Sequence, residues 1–324
     1  MSERPTLPPL PPPLHPGDRV RLVAASSALE SSERLEAGLQ VLRSWGLVVD
    51  LPPILGRRWG YMAGRDDQRA GDLRGTAADG QNAPLLACVR GGWGSARLLQ
   101  EGADSRLLAW LDPTAAPQWL LGFSDVTSLL WARWAKRCSG GVHGPLITTL
   151  GEEPAWSQER LHGLLFGEKL TPLQGCGWIG GVGEGPLLVA NLTVATHLLG
   201  TPHLPDLKGA IVVFEDVGEA PYRIERMLTH WRLCGALQQL AGIGWGRFSG
   251  CTDPDRADQA PETFFTTEQV LLERTADLGI PVVADLPVGH MPGNAALPLG
   301  VWARLDGNKG SLALDISWRE RLGV

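Results

Sequence analysis

A serine stands at a corner in Trp119-Leu-Leu-Gly-Phe-Ser-Asp-Val-Thr-Ser128. An apolar run ends in Gly122, Ser124 follows, and a helix-compatible segment begins. A strand that turns sharply into a helix lifts such a hydroxyl clear of the backbone, as nucleophile elbows do. Asp125 and Thr127 fall in the first turn, where an acidic residue suits the positive helix end. The Asp125 N–H would face a carbonyl under attack. The pattern lacks the second glycine of G-x-S-x-G, and a Ser-Asp N-cap on an ordinary helix accounts for the same residues.

Partners for this serine must come from elsewhere in the chain. Arg90-Gly-Gly-Trp-Gly94 follows an apolar run, and paired glycines let a ligand approach backbone N–H groups closely. It reads as an oxyanion hole shared by the Gly92 and Asp125 N–H groups, as a phosphate cradle, or as a plain tight turn. It lacks the Lys-Ser/Thr of a P-loop and the spacing of a dinucleotide fingerprint. Phe214-Glu-Asp-Val-Gly-Glu219 closes a hydrophobic strand with carboxylates, one of which could orient an imidazole. A solvated acidic loop is the plainer account. His290 lies in Leu286-Pro-Val-Gly-His-Met-Pro-Gly-Asn294, a glycine- and proline-rich loop that would fix the backbone and expose the ring. A surface histidine is the simple alternative. His143 is the rival imidazole, although His143-Gly-Pro145 reads as a turn.

The elements around these residues alternate strand and helix. Asp18–Ala25 reads as a first strand, and a helix capped by Ser31 or Ser32 carries Leu35, Leu39 and Leu42 to Gly46. Further strands are expected at Val48-Val49, Leu85–Val89 and Trp119–Leu121, and helices at 65–78, 95–100, after Ser124, and at 156–166. Such alternation implies a parallel sheet with helices on both faces, whose ligands bind beyond the carboxyl ends of the strands. Gly91-Gly92 and Ser124 both fall at that edge. The second half restarts with helices near 192–199, 223–232 and 267–278. Strands are expected near 210–214, 243–248, 282–284, 299–303 and 312–316, a mixed α+β pattern. The expected division is a proline-rich disordered tail at 1–16, an α/β domain at 17–167, a glycine-rich linker at 168–185 and an α+β domain at 186–324.

The chain has 324 residues, 44% hydrophobic and 20% charged, enough for a substantial core. A formal charge of −6 and a pI near 5.7 give no electrostatic reason to bind nucleic acid or an anionic membrane. A small-molecule or peptide partner fits better. Five cysteines without a C-x-x-C pair read as reduced thiols in the cytoplasm, and the absence of a tight Cys/His cluster argues against zinc. No signal peptide or membrane-spanning run is evident. The scattered tryptophans are expected in the core or at interfaces, with only Trp93 in a functional loop.

Four stretches in order carry a resemblance: Arg90–Gly94, Gly122–Thr127, the run from Phe214-Glu215-Asp216 through Tyr222–Arg226, and Gly289-His290 with Leu297-Pro-Leu-Gly300. Together they resemble the LD-carboxypeptidases, serine peptidases that include muramoyltetrapeptide carboxypeptidase and the microcin C immunity hydrolase, from about Gly17 almost to the C-terminus. The resemblance implies a flavodoxin-like N-terminal domain with a smaller β-rich C-terminal domain. It implies Ser124 as nucleophile, His290 as general base and Glu215 as its orienting partner, with an oxyanion hole from Asp125 N–H and a glycine of the Gly91-Gly92 pair. It further implies a metal- and cofactor-independent homodimer acting on murein tetrapeptides in cytoplasmic cell-wall recycling. Trp93 stands where the family usually has tyrosine, keeping an aromatic wall beside the substrate, and Val189-Ala190-Asn191 replaces the usual Gly-Gly-Asn. The alternatives are a hydrolase of peptidyl or aminoacyl nucleotides using the same residues, and a non-catalytic ligand-binding protein on this scaffold.

Overall fold

The computed structural model describes residues 4–74, 83–100, 110–115, 117–253 and 263–318. Its first half supplies five strands of a six-stranded sheet in the order β12-β5-β4-β3-β1-β2, the edge strand β12 (Leu297–Pro298) coming from the second half. The strands β1 (Arg19–Val23), β2 (Val48–Asp50), β3 (Leu85–Cys88), β4 (Trp119–Gly122) and β5 (Gly141–His143) are all parallel. The order 2-1-3-4-5 is that of flavodoxin-like sheets, with the change of direction falling between β1 and β3. Strands β3 and β4 are buried along their whole length, as apolar runs between two helical layers must be.

The helices follow their sequence signals. Ser31 caps the Ser32–Ser44 helix by accepting from Arg34 N–H, and Leu35, Leu39 and Leu42 turn inward. The polar stretch from Arg65 forms a helix over Asp66–Asp72; the remainder of the expected element, 75–78, lies outside the described residues. Ser95–Leu99 forms a 3₁₀ helix, and Ala155–Leu165 an α-helix. His143, expected in a turn, is instead the last residue of β5, completely buried.

The second half forms an eight-stranded sheet in the order β6-β14-β13-β8-β9-β10-β11-β7. Strands β8 (Val182–Asn191), β9 (Ile211–Val217), β10 (Gly242–Ser249) and β11 (Val282–Ala284) run parallel, while β13 (Trp302–Asp306) and β14 (Ser311–Asp315) form an antiparallel hairpin. The edge strands β6 (Leu173–Gln174) and β7 (Cys176–Ile179) are separated by Gly175 alone, so the sheet curls until its two edges meet.

The glycine-rich stretch 168–185, expected as a linker, therefore belongs to the sheet. A Cβ at Gly177, Gly183 or Gly185 would strike the carbonyls of Gly307, Ala241 or Gly209. These glycines permit close approach of backbones rather than flexibility. Strand β12 (Leu297–Pro298) then leaves this half to pair antiparallel with β5 at the edge of the first sheet. The strand expected at 299–303 begins only at Trp302, in β13, because β12 ends at Pro298 and a turn through Gly300 separates the two.

The proline-rich segment, expected to be disordered, is docked over its described part, residues 4–16. Leu10 and Leu14 are buried, Leu10 N–H donates to Ser317 O, and Leu14 N–H donates to Leu165 O. Trp119 Nε1–H and Ser139 Oγ–H donate to the carbonyls of Pro12 and Pro9. Prolines lack N–H groups but keep their acceptors, so a body that supplies donors can hold such a strand.

The two halves are joined through the helix Thr127–Ala135, which follows Ser124. Trp131 on this helix donates from Nε1 to Val189 O at 2.9 Å and meets Trp231 edge-on at 6.3 Å, while Trp231 packs on Phe214 at 5.2 Å. Burying such aromatics gives the junction a hydrophobic core with specific ring geometry. Among the described residues no helix is long and apolar enough to cross a membrane.

Candidate active site

Ser124 sits where β4 passes into a 3₁₀ turn, Ser124–Val126, and then into the Thr127–Ala135 helix. Its φ is 62°, one of three positive values at non-glycine positions among the described residues. A left-handed serine costs about 1–2 kcal/mol, and such strain persists where the surroundings over-determine it. Here the surroundings are Gly122 and Gly91. A Cβ on Gly122 would lie 2.8 Å from Val126 Cγ1, so the glycine lets strand and helix close tightly around a valine. Val126 stands where the elbow pattern has its second glycine, and Gly122 accommodates it. A Cβ on Gly91 would lie 3.0 Å from Ser124 Cβ and 3.2 Å from its Oγ, so this loop borders the hydroxyl directly.

The Asp125 side chain is buried and turns away from the serine. Its Oδ2 accepts from Ser95 N–H at 2.9 Å, and its carbonyl accepts from Ser95 Oγ at 2.6 Å. This ties the serine turn to the loop after β3. Ser27, in the loop after β1, ties the loop after β3 from the other side, donating N–H to Gly91 O at 3.2 Å and accepting from Trp93 N–H at 3.0 Å. The Trp93 indole is exposed. The Asp125 N–H, near the start of a helical turn, is one of the amides that such a turn leaves without an internal partner.

The other half supplies a hydrogen-bonded pair. Glu215, near the end of β9, is completely buried, and its Oε2 lies 2.6 Å from His290 Nδ1. His290 Nε2 lies 3.0 Å from Ser124 Oγ. A carboxylate only accepts, so it fixes the proton on Nδ1 and leaves Nε2 to accept from the serine hydroxyl. Burial lowers the imidazole's hold on a proton, but the hydrogen bond and charge of Glu215, with Asp216 behind it, outweigh that and raise its pKa. Burial pushes the Glu215 carboxyl up, and the neighbouring imidazole draws it back only in part. The Phe123 ring packs 4.7 Å from the His290 ring and holds its other side.

Asp216, the next residue, points to the opposite face of β9. It accepts from Asn191 Nδ2, Thr193 N–H and Thr193 Oγ1, anchoring the start of the Leu192–Leu198 helix. The acidic run is therefore not a solvated loop at these two positions. His143 meets Phe123 at 5.5 Å but has no hydrogen bond to Ser124, and burial first, then the charge of His290, pushes its pKa down to about 3. It is a neutral core imidazole.

Thus Ser124, His290 and Glu215 come together from both halves, with Gly91 and Asp125 beside the serine. Other side chains hold them in place. Thr127 Oγ1 accepts from Asn191 N–H across the junction, and Asn294 Oδ1 accepts from Gly289 N–H within the histidine loop. Arg247 Nη1 donates to the Pro292 carbonyl at 2.8 Å, and Glu153 accepts from the N–H groups of Gly293 and Asn294. Of these, Thr127 carried a signal as a polar residue in the first turn after the serine, and Asn294 as the polar residue closing a Gly-Pro loop. Among the described residues no group of three or more His, Cys, Asp or Glu side chains is arranged to hold a metal.

The three side chains meet between a flavodoxin-like sheet and a curled second sheet. Residues 20–144 match the LD-carboxypeptidase N-terminal domain and residues 184–305 the C-terminal domain of the same peptidases. A provisionally named carboxypeptidase of Synechocystis is 48% identical over 93% of this chain and 95% of its own. The murein tetrapeptide carboxypeptidase of Pseudomonas aeruginosa is 35% identical over 90% of this chain and 94% of its own. The solved muramoyltetrapeptide carboxypeptidase of Oxalobacter formigenes superposes with a TM-score of 0.78, at 26% identity, covering 93% of this chain and 100% of that one. The microcin C7 self-immunity protein shares the fold at a TM-score of 0.80 and 21% identity, covering 96% of this chain and 100% of its own. The chain belongs to the LD-carboxypeptidase family of serine peptidases.

Proposed function

We propose that the protein is a serine LD-carboxypeptidase that releases the terminal D-alanine from murein tetrapeptides, with Ser124 as nucleophile. The continuous hydrogen-bonded chain from Glu215 through His290 to Ser124 Oγ carries this reading. His290 Nε2 takes the hydroxyl proton as Oγ bonds to the scissile carbonyl carbon. The developing oxyanion is received by the N–H groups of Gly92 and Asp125. As the C–N bond breaks, His290 passes its proton to the departing amine of D-alanine. Water, deprotonated by the same imidazole, then attacks the ester carbonyl, and the imidazolium returns the proton to Ser124 Oγ as the acyl–oxygen bond breaks. Glu215 stabilises the imidazolium formed at each step and holds its tautomer. Trp93 forms an exposed aromatic wall at the mouth of the site.

The same reading takes 17–167 as the nucleophile domain and 186–324 as the domain of the acid–base pair. It also places the enzyme in cytoplasmic peptidoglycan recycling, as a homodimer. Sedimentation equilibrium of the purified protein checks the assembly.

The test is mass spectrometry of products from L-Ala-γ-D-Glu-meso-diaminopimelate-D-Ala, with Ser124→Ala as control. Release of D-alanine by the wild type alone is expected. Absence of release, with turnover of an aminoacyl nucleotide analogue instead, would transfer the same residues to the immunity-type reaction.

A further inference from the structure

His290 lies in a stretch, 289–294, that contains no strand or helix. A catalytic imidazole must nevertheless be held to a few tenths of an ångström, so something outside the local backbone must hold it. Three contacts come from its own half. Asn294 Oδ1 accepts from Gly289 N–H at 3.0 Å and closes the loop into a ring. Ala295 N–H donates to Pro287 O at 2.7 Å, and Arg247 Nη1 gathers the Pro292 carbonyl.

The fourth comes from the half that carries the serine. Glu153 is buried in the turn between the helices Ile147–Leu150 and Ala155–Leu165. A single oxygen, Oε2, accepts from both Gly293 N–H at 2.7 Å and Asn294 N–H at 3.0 Å. Two successive N–H groups converging on one atom form a small anion nest, here filled by a side chain. Glu153 is itself fixed, because Gln158 Nε2 donates to its carbonyl at 3.0 Å and to that of Leu150 at 3.1 Å. Ser157 Oγ donates to Asn294 O beside it. Gly293 has a φ of +89°, and a Cβ there would lie 2.7 Å from Trp156 Cζ2, so the loop has little room to settle elsewhere.

From this geometry we infer that Glu153 is a positioning residue for His290: the nucleophile-bearing half clamps the loop that carries the base. The inference rests on the serine-hydrolase reading above. Domain docking and alignment of the base are then one event, because the carboxylate that grips Gly293 and Asn294 belongs to the same half as Ser124.

The experiment is steady-state kinetics of D-alanine release by Glu153→Ala, Glu153→Asp and Glu153→Gln. Ser124→Ala is run in parallel, and melting temperatures are measured for all. Aspartate keeps the charge but withdraws the oxygen from the loop. Glutamine keeps an acceptor oxygen at full reach, and one oxygen suffices for both bonds. The expected result is a fall in kcat of about 10²-fold at unchanged KM for the alanine and aspartate variants, the scale set by ångström misplacement of a reacting group. Glutamine is expected to restore most of the rate. If the alanine variant does not fold, the aspartate–glutamine pair decides alone. Wild-type kcat in the aspartate variant, or equal losses in aspartate and glutamine variants, would overturn the inference while an inactive Ser124→Ala leaves the nucleophile standing. Turnover by Ser124→Ala would instead remove the reading on which it rests.

Discussion

The turn that carries Ser124 and the loop that carries His290 meet at one hydrogen bond but are built by opposite means. The serine turn is made of regular elements in sequence: a buried strand, a 3₁₀ turn and a buried helix, with Gly122 giving them room to close. The histidine loop has no such frame. Its shape comes from Asn294 within it, Arg247 on β10 and Glu153 from the other half of the molecule. The strained Ser124 turn is framed mainly by the strand and helix on either side of it in sequence, with the loop after β3 tied on through Ser95. The His290 loop is held largely by contacts distant in sequence.

The sharpest break in this comparison is chemical. Ser124→Ala and His290→Ala should each lower kcat by at least ~10⁴-fold, since the residues act as one unit; the serine variant should keep its melting temperature, while the histidine variant loses some because Glu215 is left buried without its partner. Stopped assays of D-alanine with calorimetry on the same samples check both halves of the statement. Glu215→Gln keeps the shape but loses the charge, and about 10⁴-fold in kcat is expected from the wrong imidazole tautomer. It also has a signature in pH. The wild-type acid limb of kcat/KM should lie above the ordinary histidine value, because Glu215 favours the imidazolium and catalysis needs the neutral ring. Removing the carboxylate leaves burial dominant and should move that limb to lower pH.

Next comes the junction. Trp131→Ala opens a cavity between the halves and should cost about 3–5 kcal/mol, read from denaturant unfolding. Because the histidine loop depends on the other half, activity in this variant should fall further than the folded fraction. Two glycine changes give the smallest effects and separate the regions most finely. Gly122→Ala presses a methyl into Val126 and Cys88 in the core, and about 1–3 kcal/mol of stability should be lost. Gly293→Ala strains a left-handed position and meets Trp156 on the histidine loop. It should cost about 1–2 kcal/mol, with a larger proportional loss of kcat than of stability.

Legibility in the sequence follows the same division. The alternation of Leu85–Cys88, Trp119–Gly122 and their helices announced a parallel sheet, and the Gly122–Ser124 spacing announced the turn, because both are local. Ser124, Glu215 and His290 could be named from the ordered motifs, and the structure brings the three side chains within hydrogen-bonding distance of one another in a chain. Glu153 could not, since a Gly-Glu-Glu-Pro turn says nothing of a loop that follows 140 residues later. The glycines of 168–185 misled for a physical reason: their role is close packing against carbonyls, which looks like flexibility when partners are unseen. The proline-rich segment misled in the same way, its acceptors being satisfied by Trp119 and Ser139 from afar.

The most direct test is the rate and site of fluorophosphonate labelling, followed by peptide mapping, in wild type and His290→Ala. One label per chain is expected, on Ser124, formed at a rate that collapses without the imidazole. A label on another residue, or equal rates in the two proteins, would contradict the assignment of nucleophile and base.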